Sequence, residues 1–198
     1  MLVFDEVGFA HQGAAPMLSG LSFRITGPER VAVCGPNGSG KTTLLRLALG
    51  ELEPTAGRVT RGVRALVLDQ RTAILRDEDS LLDNFRRLNP GATDNAAHAA
   101  LARFLFRADA ARKPAAALSG GERLRAALAC VLPGEHPPQL LILDEPTNHL
   151  DLDSIQAIEQ ALGAYDGALL LISHDEDFLE AVGIERSVAV GSSPVTQG

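Results

Sequence analysis

Apolar positions along the chain follow two textures. Four segments are nearly unbroken apolar runs of strand length: Arg30-Val31-Ala32-Val33-Cys34, Ala65-Leu66-Val67-Leu68, Gln139-Leu140-Leu141-Ile142-Leu143 and Ala168-Leu169-Leu170-Leu171-Ile172. Runs of this kind fit parallel strands covered on both faces. Leu2 to Val7 and Leu21 to Ile25 also read as strands, with a loop from His11 to Pro16 between them. In the second, Leu21, Phe23 and Ile25 alternate with Ser22 and Arg24, so one face is solvated. Arg58-Val59-Thr60 is a further short strand, and Ser187 to Val190 closes the chain after a short helix. The other texture is helical: Thr43 to Leu49, ending at Gly50, and Ser154 to Tyr165 with Ile155, Ile158, Leu162 and Tyr165 on one side. From about Ser80 to Leu132 the spacing is helical throughout: Leu81, Leu82, Phe85 and Leu88, a break at Asn89-Pro90-Gly91, then Leu101, Phe104 and Leu105, then a third helix after Ser119. Strands alternating with helices predict an α/β fold with a mostly parallel sheet, an N-terminal antiparallel β portion and an inserted helical lobe.

Composition changes this picture little. The 198 residues, 45% hydrophobic and 22% charged, suit one sizeable core. No linker or internal repeat divides them. The reading is therefore one domain over 1–198, with the sheet core at about 1–70 and 139–198 and the helical lobe at about 71–133. A net charge of −7 gives no electrostatic case for non-specific nucleic-acid binding by the whole chain, while leaving room for a local basic patch. Cys34 lies in a strand and Cys130 in a helical pattern, so both read as small buried residues in a reducing compartment, not as a disulfide. No run approaches the ~18 apolar residues of a membrane span, and the N-terminus carries no secretory pattern. The expectation is a cytoplasmic protein with no direct membrane insertion.

The chemistry collects where strands end. Gly35-Pro36-Asn37-Gly38-Ser39-Gly40-Lys41-Thr42 satisfies G-x-x-x-x-G-K-[ST] between a strand and a helix. The glycines permit tight turning and close approach. Successive N–H groups then form an anion cradle at a helix N-terminus. Lys41 would reach the outer phosphates and the Thr42 hydroxyl would face Mg²⁺. Asp144-Glu145 follows a buried strand, so Asp144 can bind Mg²⁺ beside Thr42 and Glu145 can orient or deprotonate a water. An acid pair at a strand end can equally cap a helix; the phosphate loop in the same chain shifts the balance. Ser119 and Glu122 form an S-x-x-E capping box, and Gly120 and Gly121 leave that helix start open to a phosphate.

Leu118-Ser119-Gly120-Gly121-Glu122 is similar to the signature motif of ATP-binding cassette (ABC) ATPases. Asp144-Glu145-Pro146-Thr147-Asn148-His149-Leu150-Asp151 resembles their acid strand end and the loop after it. Gln70 sits where that family has its Q-loop glutamine, and His174 where it has its switch histidine. The motifs occur in family order and frame nearly the whole chain. The resemblance implies a P-loop NTPase core, ATP and Mg²⁺ as ligands, and ATP contacts from the phosphate loop through Thr43. It also implies roles for Glu145, His174 and Gln70 in hydrolysis, with Gln70 near the metal. The signature helix would face ATP held by a second cassette. The form Pro146-Thr147-Asn148-His149-Leu150-Asp151 resembles the ABC-F group, soluble tandem-cassette ATPases that act on ribosomes, and the helical texture is most like their second cassette. Two departures stand out. His11, with Phe9 nearby, occupies the place of the usual adenine-stacking aromatic. The chain also holds one cassette and no linker, implying a fragment or a lone cassette that pairs with itself or another chain. The ATPase subunit of a membrane transporter and an ATP-gated binding module with little turnover are the alternative readings.

Overall fold

The computed structural model describes residues 1–63, 65–68, 72–134, 136–148 and 150–191. The four apolar runs and the last strand of the chain form one parallel sheet. Its strands are β3 (Arg30–Cys34), β5 (Ala65–Leu68), β6 (Leu140–Asp144), β7 (Ala168–Ile172) and β8 (Arg186–Ala189), in the order β5-β6-β7-β3-β8. The pairings β5–β6, β6–β7, β7–β3 and β3–β8 are all parallel. A separate antiparallel sheet has the order β2-β1-β4, with β1 at Leu2–Phe9, β2 at Leu18–Ile25 and β4 at Ala56–Arg61. The alternation in β2 behaves as the pattern predicts: Ser22 and Arg24 are exposed and Ile25 is buried.

The unbroken apolar runs are explained by what covers each face of the parallel sheet. Successive side chains on a strand point to opposite faces. Leu140, Ile142, Leu170 and Ile172 pack with the antiparallel sheet and with Leu44, Leu45 and Leu47 of α1 (Lys41–Leu49). Leu141, Leu143, Leu169 and Leu171 pack with the helices of the other side. These are α2 (Leu81–Leu88), α3 (Asp94–Arg103), α4 (Gly120–Val131), α5 (Leu152–Gly163) and α6 (Glu176–Ala181). A polar residue at any of these strand positions would lose solvation on one face or the other.

Helix ends follow their cap residues. Ser80, Thr93, Ser119, Asp151 and Asp175 each accept a hydrogen bond from the backbone N–H three residues on. The helix containing Leu101 and Phe104 stops earlier than its spacing suggests. α3 ends at Arg103, Phe104 is its C-cap, and Leu105 turns left-handed with φ 70°. Leu105 is consequently exposed, while Phe104 and Phe106 stay buried. The Phe106 N–H returns to the Leu101 carbonyl at 2.9 Å and closes the turn.

Cys34 and Cys130 are both free thiols, and Cys130 is fully buried. Burial pushes the Cys130 thiol up to about 12, and burial likewise raises the Tyr165 phenol to about 12. Tyr165 donates its hydroxyl proton to the Pro138 carbonyl. Both groups hold their protons more tightly in the folded chain than in the unfolded one. Their contribution to stability is therefore complete below the unfolded values near 9 and 10, and is lost as pH rises towards 12. Denaturant midpoints are expected to hold level to about pH 8.5 and then fall. Cys130→Ala should flatten part of that fall, and a midpoint independent of pH up to 11 would contradict the burial argument.

Candidate functional site

The C-terminal ends of β3 and β6 meet at one cleft of about 440 Å³, and His174, just past β7, touches two of its lining residues. Such a place, beyond the carboxyl edge of a parallel sheet, is where α/β folds bind ligands. Its lining includes Asn37, Lys41 and Thr42 from the loop after β3, and Asp144 and Glu145 from the end of β6. Gly38, Gly40 and Thr43 complete the loop's contribution.

The loop has the shape the glycine spacing requires. Gly40, at φ 104°, is the N-cap of α1 and supplies no side-chain cap, so the first N–H groups of α1 remain available to an anion. Gly35 sits at φ 155°, and a Cβ there would lie 2.4 Å from the Val190 carbonyl oxygen and 2.7 Å from Ser39 Oγ. Ser39 is buried and its hydroxyl has no hydrogen-bond partner among the described residues. The Lys41 ammonium folds back over the loop. It donates to the Gly35 carbonyl at 2.7 Å and to the Pro36 carbonyl at 3.2 Å. It also lies 3.2 Å from His174 Nε2.

His174 in turn links two strand ends. Its Nε2 is 3.3 Å from Glu145 Oε1, and its side chain is 53% exposed. Lys41, His174 and Glu145 therefore form one chain of contacts across the cleft. Glu145 is held there by the backbone. Its N–H donates to the Ile172 carbonyl of β7 at 2.8 Å, and its φ is 48°. A left-handed glutamate costs of order 1–3 kcal/mol and persists only where its surroundings fix it. Asp144, the last residue of β6, pairs in register with Ile172.

Other expected site residues fall outside this cleft. Ser119 and Gly120 are exposed at the start of α4 and do not line it. The capping box is complete: Ser119 Oγ accepts from the Glu122 N–H at 3.3 Å, and Glu122 Oε2 accepts from the Ser119 N–H at 2.8 Å. Gly121 follows in the first turn. His11 is exposed beyond the end of β1, its ring edge-to-face with Phe9 at 5.0 Å, and it does not line the cleft. Gln70 and His149 lie outside the described residues. One lining residue carried no signal in the sequence. Met17, just before β2, presents its Sδ to the Thr43 hydroxyl, which donates to it at 2.9 Å. Methionine in a loop has neither charge nor periodicity to mark it.

The donor set at the cleft edge suits a hard divalent cation. Thr42 and Asp144 supply oxygen from two elements, and magnesium is commonly held by one or two protein oxygens with water and phosphate completing the shell. No cluster of three or more acidic, histidine or cysteine side chains occurs among the described residues that could hold a metal alone. Among those residues no helix is long and apolar enough to cross a membrane.

Comparison with known proteins agrees with this geometry. The family described as ABC transporter matches residues 18–148. "Putative ATP-binding protein YdiF" of Bacillus subtilis is 37% identical over 199 residues, covering all of this chain and 30% of that protein. "ATP-binding protein Uup" of Caulobacter vibrioides is 40% identical over 195 residues, covering 93% of this chain and 31% of the relative. "ABC transporter F family member 3" of Arabidopsis thaliana is 35% identical over 182 residues, covering 90% of this chain and 25% of the relative. The chain thus spans about a third or less of these relatives. A solved bacterial Atm1-family ABC exporter with ATP bound superposes with a TM-score of 0.78, covering 96% of this chain and 37% of that one. At 24% identity that likeness speaks to the fold alone. With its motifs, its fold and the family match over residues 18–148, the chain belongs to the ABC family as an ATPase cassette whose relatives are ABC-F type ATP-binding proteins.

Proposed function

We infer that this chain binds Mg²⁺-ATP in the cleft after β3 and hydrolyses it as one half of a two-cassette sandwich, within an ABC-F protein that acts on ribosomes. The observation that carries the reading is the convergence of Lys41, Glu145 and His174 over the phosphate loop. Lys41 and the loop N–H groups hold the phosphates, and Lys41 exchanges its carbonyl partners for phosphate oxygens. Thr42 and Asp144 would hold the Mg²⁺, whose charge would offset that of the phosphates. Glu145 orients a water and accepts its proton, and His174 contacts the outer phosphate. Gln70 takes a place near the metal by family likeness alone. Ser119 and Gly120, exposed away from the chain's own cleft, with the half-buried Gly121 and Glu122, face ATP on the second cassette. Residues 1–198 form one domain in this reading, its helical lobe carrying the signature helix. The ABC-F relatives support the ribosomal role, and with it a place in the cytoplasm.

Light scattering with and without nucleotide tests the sandwich. The isolated chain is expected to be largely monomeric without ATP, to turn ATP over weakly, and to gain mass when ATP is held unhydrolysed. Ser119→Arg should abolish that gain and leave ATP binding to the monomer intact. A dimer that ignores nucleotide would count against the arrangement. Co-sedimentation of the full-length protein with ribosomes tests the translational role.

A further inference from the structure

The chain has two methionines, Met1 and Met17, in different surroundings. Met1 is 49% exposed just before β1 and does not line the cleft. Met17 is 36% exposed and does line it. Its backbone is pinned, since the Met17 N–H donates to the Phe9 carbonyl at 2.8 Å. Its side chain is wedged against the phosphate loop. The Thr43 hydroxyl donates to Sδ at 2.9 Å, and a Cβ on Gly40 would lie 3.1 Å from Met17 Cγ. Thr43 is buried in the first turn of α1, whose Leu44, Leu45 and Leu47 pack into the core, so the wall facing the sulfur is rigid.

A thioether in that place has a chemistry that an aliphatic side chain of the same size lacks. Sulfur is oxidised to a polar sulfoxide under conditions that leave leucine untouched. A thioether sulfur carries two lone pairs, and Thr43 engages one of them. The thiols stand differently. Cys130 is fully buried and burial pushes its thiol up to about 12, so it offers no reactive thiolate. Cys34 is half-buried at the end of β3.

We propose that Met17 is an oxidation site through which peroxide lowers the affinity of the cassette for Mg²⁺-ATP. The step is a two-electron oxygen transfer. A sulfur lone pair attacks one peroxide oxygen, an S–O bond forms and the O–O bond breaks. The proton of the attacked oxygen passes to the departing hydroxide, which leaves as water. The thioether is oxidised to the sulfoxide and the peroxide is reduced. The product is polar and larger by one oxygen. Gly40 and Thr43 leave that oxygen no room on the loop side, so it turns to the open side, into the cleft. There the negative end of the S–O dipole meets the phosphates. This last step rests on the placement of ATP over the phosphate loop given above.

The test treats the whole chain with hydrogen peroxide, removes the peroxide, and adds dithiothreitol to every sample to undo reversible thiol oxidation. Peptide mass spectrometry locates added oxygen on Met1 and Met17, titration gives the Mg²⁺-ATP affinity, and thermal melting without nucleotide reports the fold. Oxidised wild type is expected to bind Mg²⁺-ATP about tenfold more weakly with its melting point held, the equivalent of one hydrogen bond lost. Methionine sulfoxide reductases A and B together, one for each epimer, should restore the affinity; over-oxidised Cys34 would not respond to them. Met17→Leu is compared only with itself before peroxide, and its affinity should not fall on treatment. An equal loss in Met17→Leu moves the effect to another residue and overturns the proposal. So does a Met17 sulfoxide with unchanged affinity, a Met17 that stays reduced while Met1 is oxidised, or a loss that tracks a collapsed melting point. Wild type that binds no Mg²⁺-ATP before peroxide refutes the cleft reading and this proposal with it. Binding that is equally tight before and after oxidation refutes the oxidation site alone.

Discussion

Lys41→Ala is expected to lower the affinity for Mg²⁺-ATP by roughly 10²- to 10⁴-fold. The ammonium is the one cation among the described residues lining the cleft. Its present partners are two loop carbonyls and His174, at 2.7, 3.2 and 3.2 Å. In exchanging them for phosphate oxygens it gains about two charge-assisted hydrogen bonds, each worth roughly 1.5–3 kcal/mol. Every 1.4 kcal/mol or so is tenfold in affinity. The fold should survive, because Lys41 lies at the solvent end of α1 while Leu44, Leu45 and Leu47 of that helix carry the packing. Isothermal titration gives the affinity and thermal melting without nucleotide gives the fold. An unchanged affinity would remove Lys41 from its assigned place. A melting point that collapsed along with affinity would instead assign it to bracing the Gly35 and Pro36 carbonyls.

Much of this architecture is written in local patterns, and the exceptions have physical reasons. The unbroken runs at 140–143 and 168–172 fit a sheet covered on both sides, and the structure covers them with α1 and the antiparallel sheet on one face and helices on the other. The capping box at Ser119 and Glu122 is a four-residue code and forms as such. The phosphate loop is legible because its glycines answer to backbone geometry: Gly40 is left-handed and Gly35 has no room for a Cβ. Leu105 was misplaced because spacing cannot show where a helix stops when neither glycine nor proline marks the end; Arg125 and the buried Phe104 and Phe106 decide it through tertiary contact. The contact of His174 with both Lys41 and Glu145 is likewise hidden from the sequence, since it joins residues more than a hundred positions apart in one case. Met17 was missed because its part in the cleft depends on packing against Gly40 and Thr43, not on any charge or periodicity of its own. The left-handed backbone at Glu145 had no local sign either, since it follows from the Ile172 carbonyl on the neighbouring strand.

Glu145→Gln should separate chemistry from binding. Glutamine keeps the shape of the side chain but removes its charge and most of its basicity. ATP affinity leans on Lys41, the loop N–H groups and Thr42, so it should change little. Turnover should fall by at least ~10²-fold, the low end for loss of a general base. The backbone should not move, because the position of residue 145 is set by its N–H on the Ile172 carbonyl, which the substitution leaves in place. His174 gives the discriminating control. It lies 3.3 Å from the Glu145 carboxylate and 3.2 Å from the Lys41 ammonium, so it is the next group able to accept a proton in the cleft. If Glu145→Gln retains full turnover and His174→Ala loses it, the base is His174. If ATP draws two cassettes together and hydrolysis releases them, blocked hydrolysis should also hold the closed pair. Gel filtration of Glu145→Gln with Mg²⁺-ATP should then show a dimer, and adding Ser119→Arg should return it to monomer without weakening ATP binding. A dimer that persists in the double variant would mean that the exposed start of α4 does not face the partner's nucleotide, and the pairing would have to use another surface of the chain.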